Sequence, residues 1–244
     1  MTVVSHTKKL VFIHLNKTGG TSIETQCIDQ HPILKTINKL LIRHVFEYGP
    51  LEPTNEFYVS CLKSLAYVLE KARGIQVISV PKHTEVGWAQ QNYPDYRRFT
   101  IVRNTYDLLA SYYRYRNVVP WGGTKGMSFE AWLNKICAYR LHGLESKCFR
   151  TEAVRGQLER LRDQTGRLAC EVIHFENFSV HPLVEEILGE VLVTYIQMPD
   201  VPPEYRAKSP NPCYYTPKMI SQVRQAYFED IDYWGFTLDP RLAS

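Results

Sequence analysis

The 244-residue chain lacks several features that would settle its class at once. It has no apolar run long enough to cross a membrane, which takes about 20 residues. The apolar stretch near the N-terminus, Leu10 to Leu15, is interrupted by His14 and is also too short for a secretory signal. There is no CxxC pair among the six cysteines, Cys27, Cys61, Cys137, Cys148, Cys170 and Cys213, so reduced thiols are expected rather than disulfides or a zinc site. Charge of one sign is lacking too. Twenty-nine basic against 25 acidic residues leave a net +4, too mild to imply nucleic acid. No repeat or low-complexity segment is visible. The 44% hydrophobic content and the length fit one globular domain, residues 1–244.

What is present is concentrated first in Lys9–Glu24, KLVFIHLNKTGGTSIE. The apolar run ends at Asn16-Lys17-Thr18-Gly19-Gly20, and Thr21-Ser22 opens a predicted helix. A strand that ends in a glycine-containing turn and feeds a helix is a phosphate cradle. Glycine lets backbone N–H groups approach an anion, and the helix N-terminus adds partial positive charge. Thr21 and Glu24 have capping-box spacing. In the Walker pattern the lysine follows the last glycine. Here Lys17 precedes both glycines, which points away from ATP and GTP.

The second concentration is Arg97–Asn117, RRFTIVRNTYDLLASYYRYRN. Phe99–Val102 reads as a buried strand with Arg103 at its C-terminal end, and the pattern turns helical from Tyr106. Arg103 and Ser111 are eight residues apart, so a strand-end guanidinium and a helix hydroxyl two turns on are placed to meet one anion. Ligands of open α/β sheets bind beyond the carboxyl ends of the strands.

These two stretches resemble known ones. FIHLNKTGGTSIE is similar to the 5′-phosphosulfate-binding loop of sulfotransferases that use 3′-phosphoadenosine 5′-phosphosulfate (PAPS). FTIVRNTYDLLASYYRY is similar to their 3′-phosphate-binding strand and helix. The carbohydrate branch is resembled most, including the Golgi glycosaminoglycan 2-O- and 6-O-sulfotransferases and related bacterial and algal proteins. EVIHFENF (Glu171–Phe178) resembles that family's late strand and acidic-aromatic turn, and Tyr214–Phe236 its C-terminal helix. Asn16 and Thr105 stand where the family commonly has proline. The Golgi relatives carry a membrane anchor. Without one, this chain is expected to be soluble and cytoplasmic, or lumenal if it is an excised catalytic domain.

Along the chain, strands are predicted at Lys9–Leu15, Ile75–Val80, Phe99–Arg103 and Val172–Phe175. Helices are predicted at Thr21–Ile28, Pro32–Phe46, Glu56–Lys71, Thr84–Gln91, Tyr106–Arg116, Ser128–Tyr139, Thr151–Gln164 (charged and exposed), Pro182–Leu188 and from Pro217 onward. Such alternation predicts an α/β domain with a mostly parallel central sheet and helices on both faces. The resemblance makes it a P-loop-like three-layer domain.

The resemblance also implies roles. Lys17 would bind the 5′-phosphate and the bridging oxygen and neutralise charge as the S–O bond breaks. Thr18, Gly19, Gly20, Thr21 and Ser22 would supply backbone and hydroxyl donors, Arg103 and Ser111 would hold the 3′-phosphate, and Lys208, followed by Ser209, would close over the nucleotide. The leaving phosphate is a weak base, so no metal is required in principle. An acceptor hydroxyl gains from a general base, for which histidine is the default. His83 follows the strand Ile75–Val80 and precedes the Arg103 strand as the family's catalytic histidine does, and Glu85 is the alternative. His14 and His174 read as strand residues, His14 in the core. Tyr112 reads as core, while Trp121 lies in the glycine-rich stretch Asn117–Met127.

The expected activity is therefore sulfuryl transfer from PAPS to an acceptor hydroxyl, of a carbohydrate by the branch resembled, with PAP (3′-phosphoadenosine 5′-phosphate) as product. Two other classes stay open: a P-loop small-molecule kinase with a degenerate Walker loop, and a PAP-binding relative that has lost catalysis. The acceptor and the oligomeric state are not encoded legibly.

Overall fold

The computed structural model describes residues 2–20, 23, 75–78, 86–118, 126–143, 154–188 and 215–238. The helices predicted at Pro32–Phe46 and Glu56–Lys71, and most of Thr21–Ile28, lie outside them. Five strands and seven α-helices occur among the described residues. The chain divides into two compact units, Met1–Val102 with Leu161–Pro202, and Arg103–Arg160 with Pro203–Ser244.

The first unit is built on a five-stranded sheet of order β3-β1-β2-β4-β5. Its strands are β1 (Thr2–Ser5), β2 (Leu10–Ile13), β3 (Ile75–Ile78), β4 (Arg97–Val102) and β5 (Glu171–His174). The sheet is mixed, which corrects the mostly parallel sheet expected. The pairs β2–β4 and β4–β5 are parallel, but β1 is antiparallel to both β2 and β3. The cause is local. Only four residues join β1 to β2, and so short a connection permits a hairpin but no crossover. Lys9 takes the left-handed conformation (φ 49°) in that turn, where glycine is the usual signal. β2, β4 and β5 still share one direction, and the double reversal through β1 gives β3 that direction too.

Alternation sends the strands' side chains into two apolar clusters. Val3, Leu10, Phe12, Phe99, Ile101 and Ile173 pack with Ile23 and with Leu183, Val184, Ile187 and Leu188 of α5 (Pro182–Leu188). Val4, Val11 and Ile13 pack with Val86 and Ala89 of α1 (Val86–Asn92). The Phe12 and Phe99 rings are 5.2 Å apart and fully buried, each contributing roughly 1.5–3 kcal/mol of burial. β4 is tied to β2 additionally by the Thr100 hydroxyl, which donates to the Ile13 carbonyl at 2.7 Å.

The second unit is helical: α2 (Thr105–Val118), α3 (Phe129–His142), α4 (Gln157–Leu161, ending at the unit boundary), α6 (Pro217–Ala226) and α7 (Phe228–Trp234). Its core gathers Tyr106, Leu109, Tyr112, Tyr113, Trp132, Ile136, Tyr215, Val223 and Ile231. Ser128 caps α3, its Oγ accepting from the Ala131 N–H at 3.1 Å, and Gly143 closes it in the left-handed conformation. Thr216 caps α6 with Pro217 in the first turn, in the expected order.

Two helical expectations need correction. Among the described residues 154–164, the exposed helix predicted over Thr151–Gln164 is only α4, and Gln157, Leu158 and Arg160 in it are buried. It is stopped by a turn in which Asp163 Oδ1 accepts from the Thr165 and Arg167 N–H groups. The C-terminal helix is likewise broken, at Tyr227. In a continuous helix the Ala226 carbonyl would accept from the Asp230 N–H. It accepts instead from Arg140 Nε at 2.6 Å.

Candidate functional site

The loop after β2 begins with a packing problem. His14 is 5% exposed, its ring stacked on Phe12 at 6.0 Å, which bears out the core reading of this histidine. Its imidazole fills the space beside Gly20, where any Cβ would overlap the ring, with Nε2 at 2.5 Å and Cγ at 2.7 Å. Only glycine fits there. Gly19 has φ 88°, and a Cβ on it would lie 2.9 Å from Phe175 Cε2 and 3.5 Å from Phe178 Cε1. Both rings come from the 3-10 turn Phe175–Val180 that follows β5, and they stack at 5.4 Å. The late acidic-aromatic stretch thus forms one wall of the loop. Sequence reasoning singled out that stretch without seeing this use. The signal available was the pairing of a glycine turn with two phenylalanines at the ends of parallel strands.

Thr18 is fully buried and its hydroxyl donates to the Leu15 carbonyl at 2.8 Å. That proton is committed to the turn, so the hydroxyl-donor role expected of Thr18 is not open to it. The backbone N–H is what Thr18 can offer an anion. Lys17 is half-buried with φ 64°, a left-handed conformation that costs a non-glycine residue roughly 1–2 kcal/mol. Such strain persists where its surroundings fix it, and it clusters at functional sites. Gly20 and Ile23 are both helical, so helical conformation is reached at Gly20, a residue before the expected start.

Arg103 directly follows β4, as predicted. Because β2 and β4 are parallel neighbours in register (Ile13 opposite Thr100), the chain leaves both at the same edge of the sheet. The Arg103 main chain is held by a side chain that sequence reasoning missed. Its N–H donates to Gln157 Oε1 at 2.9 Å, and its carbonyl accepts from Gln157 Nε2 at 2.8 Å. Asn104 Oδ1 then accepts from the Tyr106 N–H at 3.1 Å, and the Asn104 amide donates to the Thr237 carbonyl at 2.6 Å. Ser111 is the seventh residue of α2 and half-buried.

Behind Gln157 lies a buried polar cluster. Asp230 is 1% exposed and accepts from the Gln157 and Leu158 N–H groups at 2.7 and 2.8 Å, so its carboxylate caps α4. Burial pushes its carboxyl above the usual range, against the lowering by those two N–H groups and by Arg140. Arg140 donates to the carbonyls of Ala226 and Val154 and to Glu159 Oε2, and its guanidinium lies 4.9 Å from the centre of the Tyr227 ring. Gly156 has no room for a side chain, since a Cβ would sit 2.8 Å from Arg140 Nη2 and 3.0 Å from both Asp230 oxygens.

Among the described cysteines, Cys137 and Cys170 are free thiols, and burial pushes each up to about 12, so neither is a nucleophile near neutral pH. Tyr112 is buried in the helical core, as read from its spacing. Thr21, Ser22, His83, Glu85, Lys208, Ser209 and Trp121 lie outside the described residues. β3, which His83 follows in sequence, runs in the direction of β2 and β4. No family model, no curated protein and no solved structure matches this chain.

Proposed function

We propose that the chain is a PAPS-dependent sulfotransferase, a single domain of the P-loop-like three-layer kind that moves a sulfuryl group to an acceptor hydroxyl, that of a saccharide by the branch it resembles. One observation carries the reading. Adjacent parallel strands β2 and β4 end at one sheet edge, the first in a turn where Lys17 and Gly19 both have positive φ, the second directly before Arg103.

In this reading Lys17 and the N–H groups of Thr18, Gly19, Gly20, Thr21 and Ser22 take the 5′-phosphosulfate, Arg103 and Ser111 take the 3′-phosphate, and Lys208 covers the nucleotide. The acceptor oxygen attacks sulfur in line, the bridging S–O bond breaks and PAP leaves. The acceptor proton passes to His83, with Glu85 as the alternative base. The chemistry asks for positioning and for charge stabilisation on the leaving group, which a fixed cation supplies.

Lys17→Gly tests the assignment cleanly. Relief of the left-handed strain, roughly 1 kcal/mol, is offset by the greater freedom of glycine in the unfolded chain. Stability in denaturant should therefore stay nearly unchanged. Transfer from PAPS should fall by about 10²- to 10³-fold, the usual loss on removing one fixed transition-state donor. A variant that transfers sulfate at the parental rate contradicts the role of Lys17.

A further inference from the structure

We propose that Gln157 is a positioning residue for Arg103, and that Asp230 fixes Gln157 in turn. The inference rests on the assignment of Arg103 to the donor's 3′-phosphate. β4 ends at Val102, so Arg103 has no place in the strand ladder of the sheet. A side-chain carboxamide presents an acceptor and a donor side by side, the arrangement that the N–H and C=O of one extended residue require. Gln157 meets both, at 2.9 and 2.8 Å, and so adds the equivalent of one more rung beyond the strand. The residue after it is held independently, by the Asn104 contacts to Tyr106 and Thr237. The direction in which the Arg103 side chain leaves the backbone is thereby set.

Gln157 is only 4% exposed, and its own backbone is pinned by the Asp230 carboxylate. A buried carboxylate is costly, and a neutral serine or asparagine is an equally good helix cap. What the carboxylate adds is a second acceptor oxygen: Oδ2 takes the Gln157 N–H while Oδ1 takes that of Leu158. Two short bonds to consecutive amides fix the orientation of the first turn of α4, and with it the Cα–Cβ vector of Gln157. Gly156 admits the Arg140 guanidinium and the Asp230 carboxylate to within 3.0 Å of its missing side chain. The relay therefore runs from α7 through Asp230 to Gln157 and the Arg103 main chain. A phosphate site needs its guanidinium aimed to within a fraction of an ångström.

The test is the ratio of affinities for PAP and adenosine 5′-monophosphate, which differ only by the 3′-phosphate, measured by calorimetry on the full chain. In the parent the ratio is expected to favour PAP, and Arg103→Ala should abolish that preference. Gln157→Leu should cut the ratio by about tenfold or more while leaving adenosine 5′-monophosphate affinity unchanged. The double variant should lose no more of the ratio than Arg103→Ala alone, since both act through one guanidinium. A general loss of stability would weaken both ligands together and leave the ratio intact, and that outcome overturns the proposal. If Gln157→Leu does not fold, Gln157→Glu decides on the same readout, because it keeps the length and loses the donor to the Arg103 carbonyl. A parent that prefers neither nucleotide refutes the sulfotransferase reading itself, and so separates the two failures.

Discussion

At the scale of the residue, the loop after β2 is shaped by three fillers: the His14 ring under Gly20, and the Phe175 and Phe178 rings under Gly19. Packing alone thus accounts for both glycines. This has a direct consequence. Gly20→Ala forces a methyl into the His14 ring, and overpacking of this kind costs about 1–3 kcal/mol. In His14→Ala the same substitution should cost far less, because the space is vacated. Denaturant unfolding of the four members of that cycle measures the coupling. Equal costs in both backgrounds would mean that Gly20 is required by something other than His14. The sequence made the glycine turn legible, and His14 readable as core, from an apolar run broken by one histidine. The reason for glycine at position 20 was not legible, because it depends on a ring six residues earlier folding back over the helix start.

At the scale of the element, β2, β3, β4, α1, α2, α3 and α5 were readable from periodicity and caps to within a few residues of their observed ends. β1 was not, since four residues and a turn built on Lys9 carry no glycine or asparagine signal. The extent of α4 was misjudged for the opposite reason. Its charged residues look like a solvated face, yet Arg160 is buried, and Arg155 and Glu159 belong to a network with Arg140. That network predicts a pH dependence. Burial pushes the Glu159 carboxyl up, but hydrogen bonds from Arg155 and Arg140 outweigh it and hold the group below its ordinary value of 4.5. A lowered folded-state value means stability that is present above 4.5 and lost as pH falls through the lowered value. The parent should exceed Glu159→Gln in stability at pH 7, by a modest amount because the carboxylate is 44% exposed, and the margin should vanish on acidification. Denaturant midpoints at pH 7 and pH 3 decide it; a margin that persists at pH 3 contradicts the ion-pair account. Asp230 works in the other direction: its raised value means a contribution present in acid and lost as pH rises through that value.

At the scale of the whole molecule, the α/β class was legible from the alternation of strand and helix signals, and the mixed sheet was not, because it turns on the single reversed strand β1. Among the described residues no helix is long and apolar enough to cross a membrane. The proposal to test first is that the chain holds a 3′-phosphorylated adenosine nucleotide. Its most direct test is a thermal-shift titration of the full chain with PAP, run beside ATP with Mg²⁺. A ligand that binds only the folded state at a hundredfold excess over its dissociation constant adds about 2.7 kcal/mol of stability. The account predicts a rise in melting temperature with PAP alone, lost in Arg103→Ala. A rise with ATP and Mg²⁺ but none with PAP would contradict it and place the chain among the kinases.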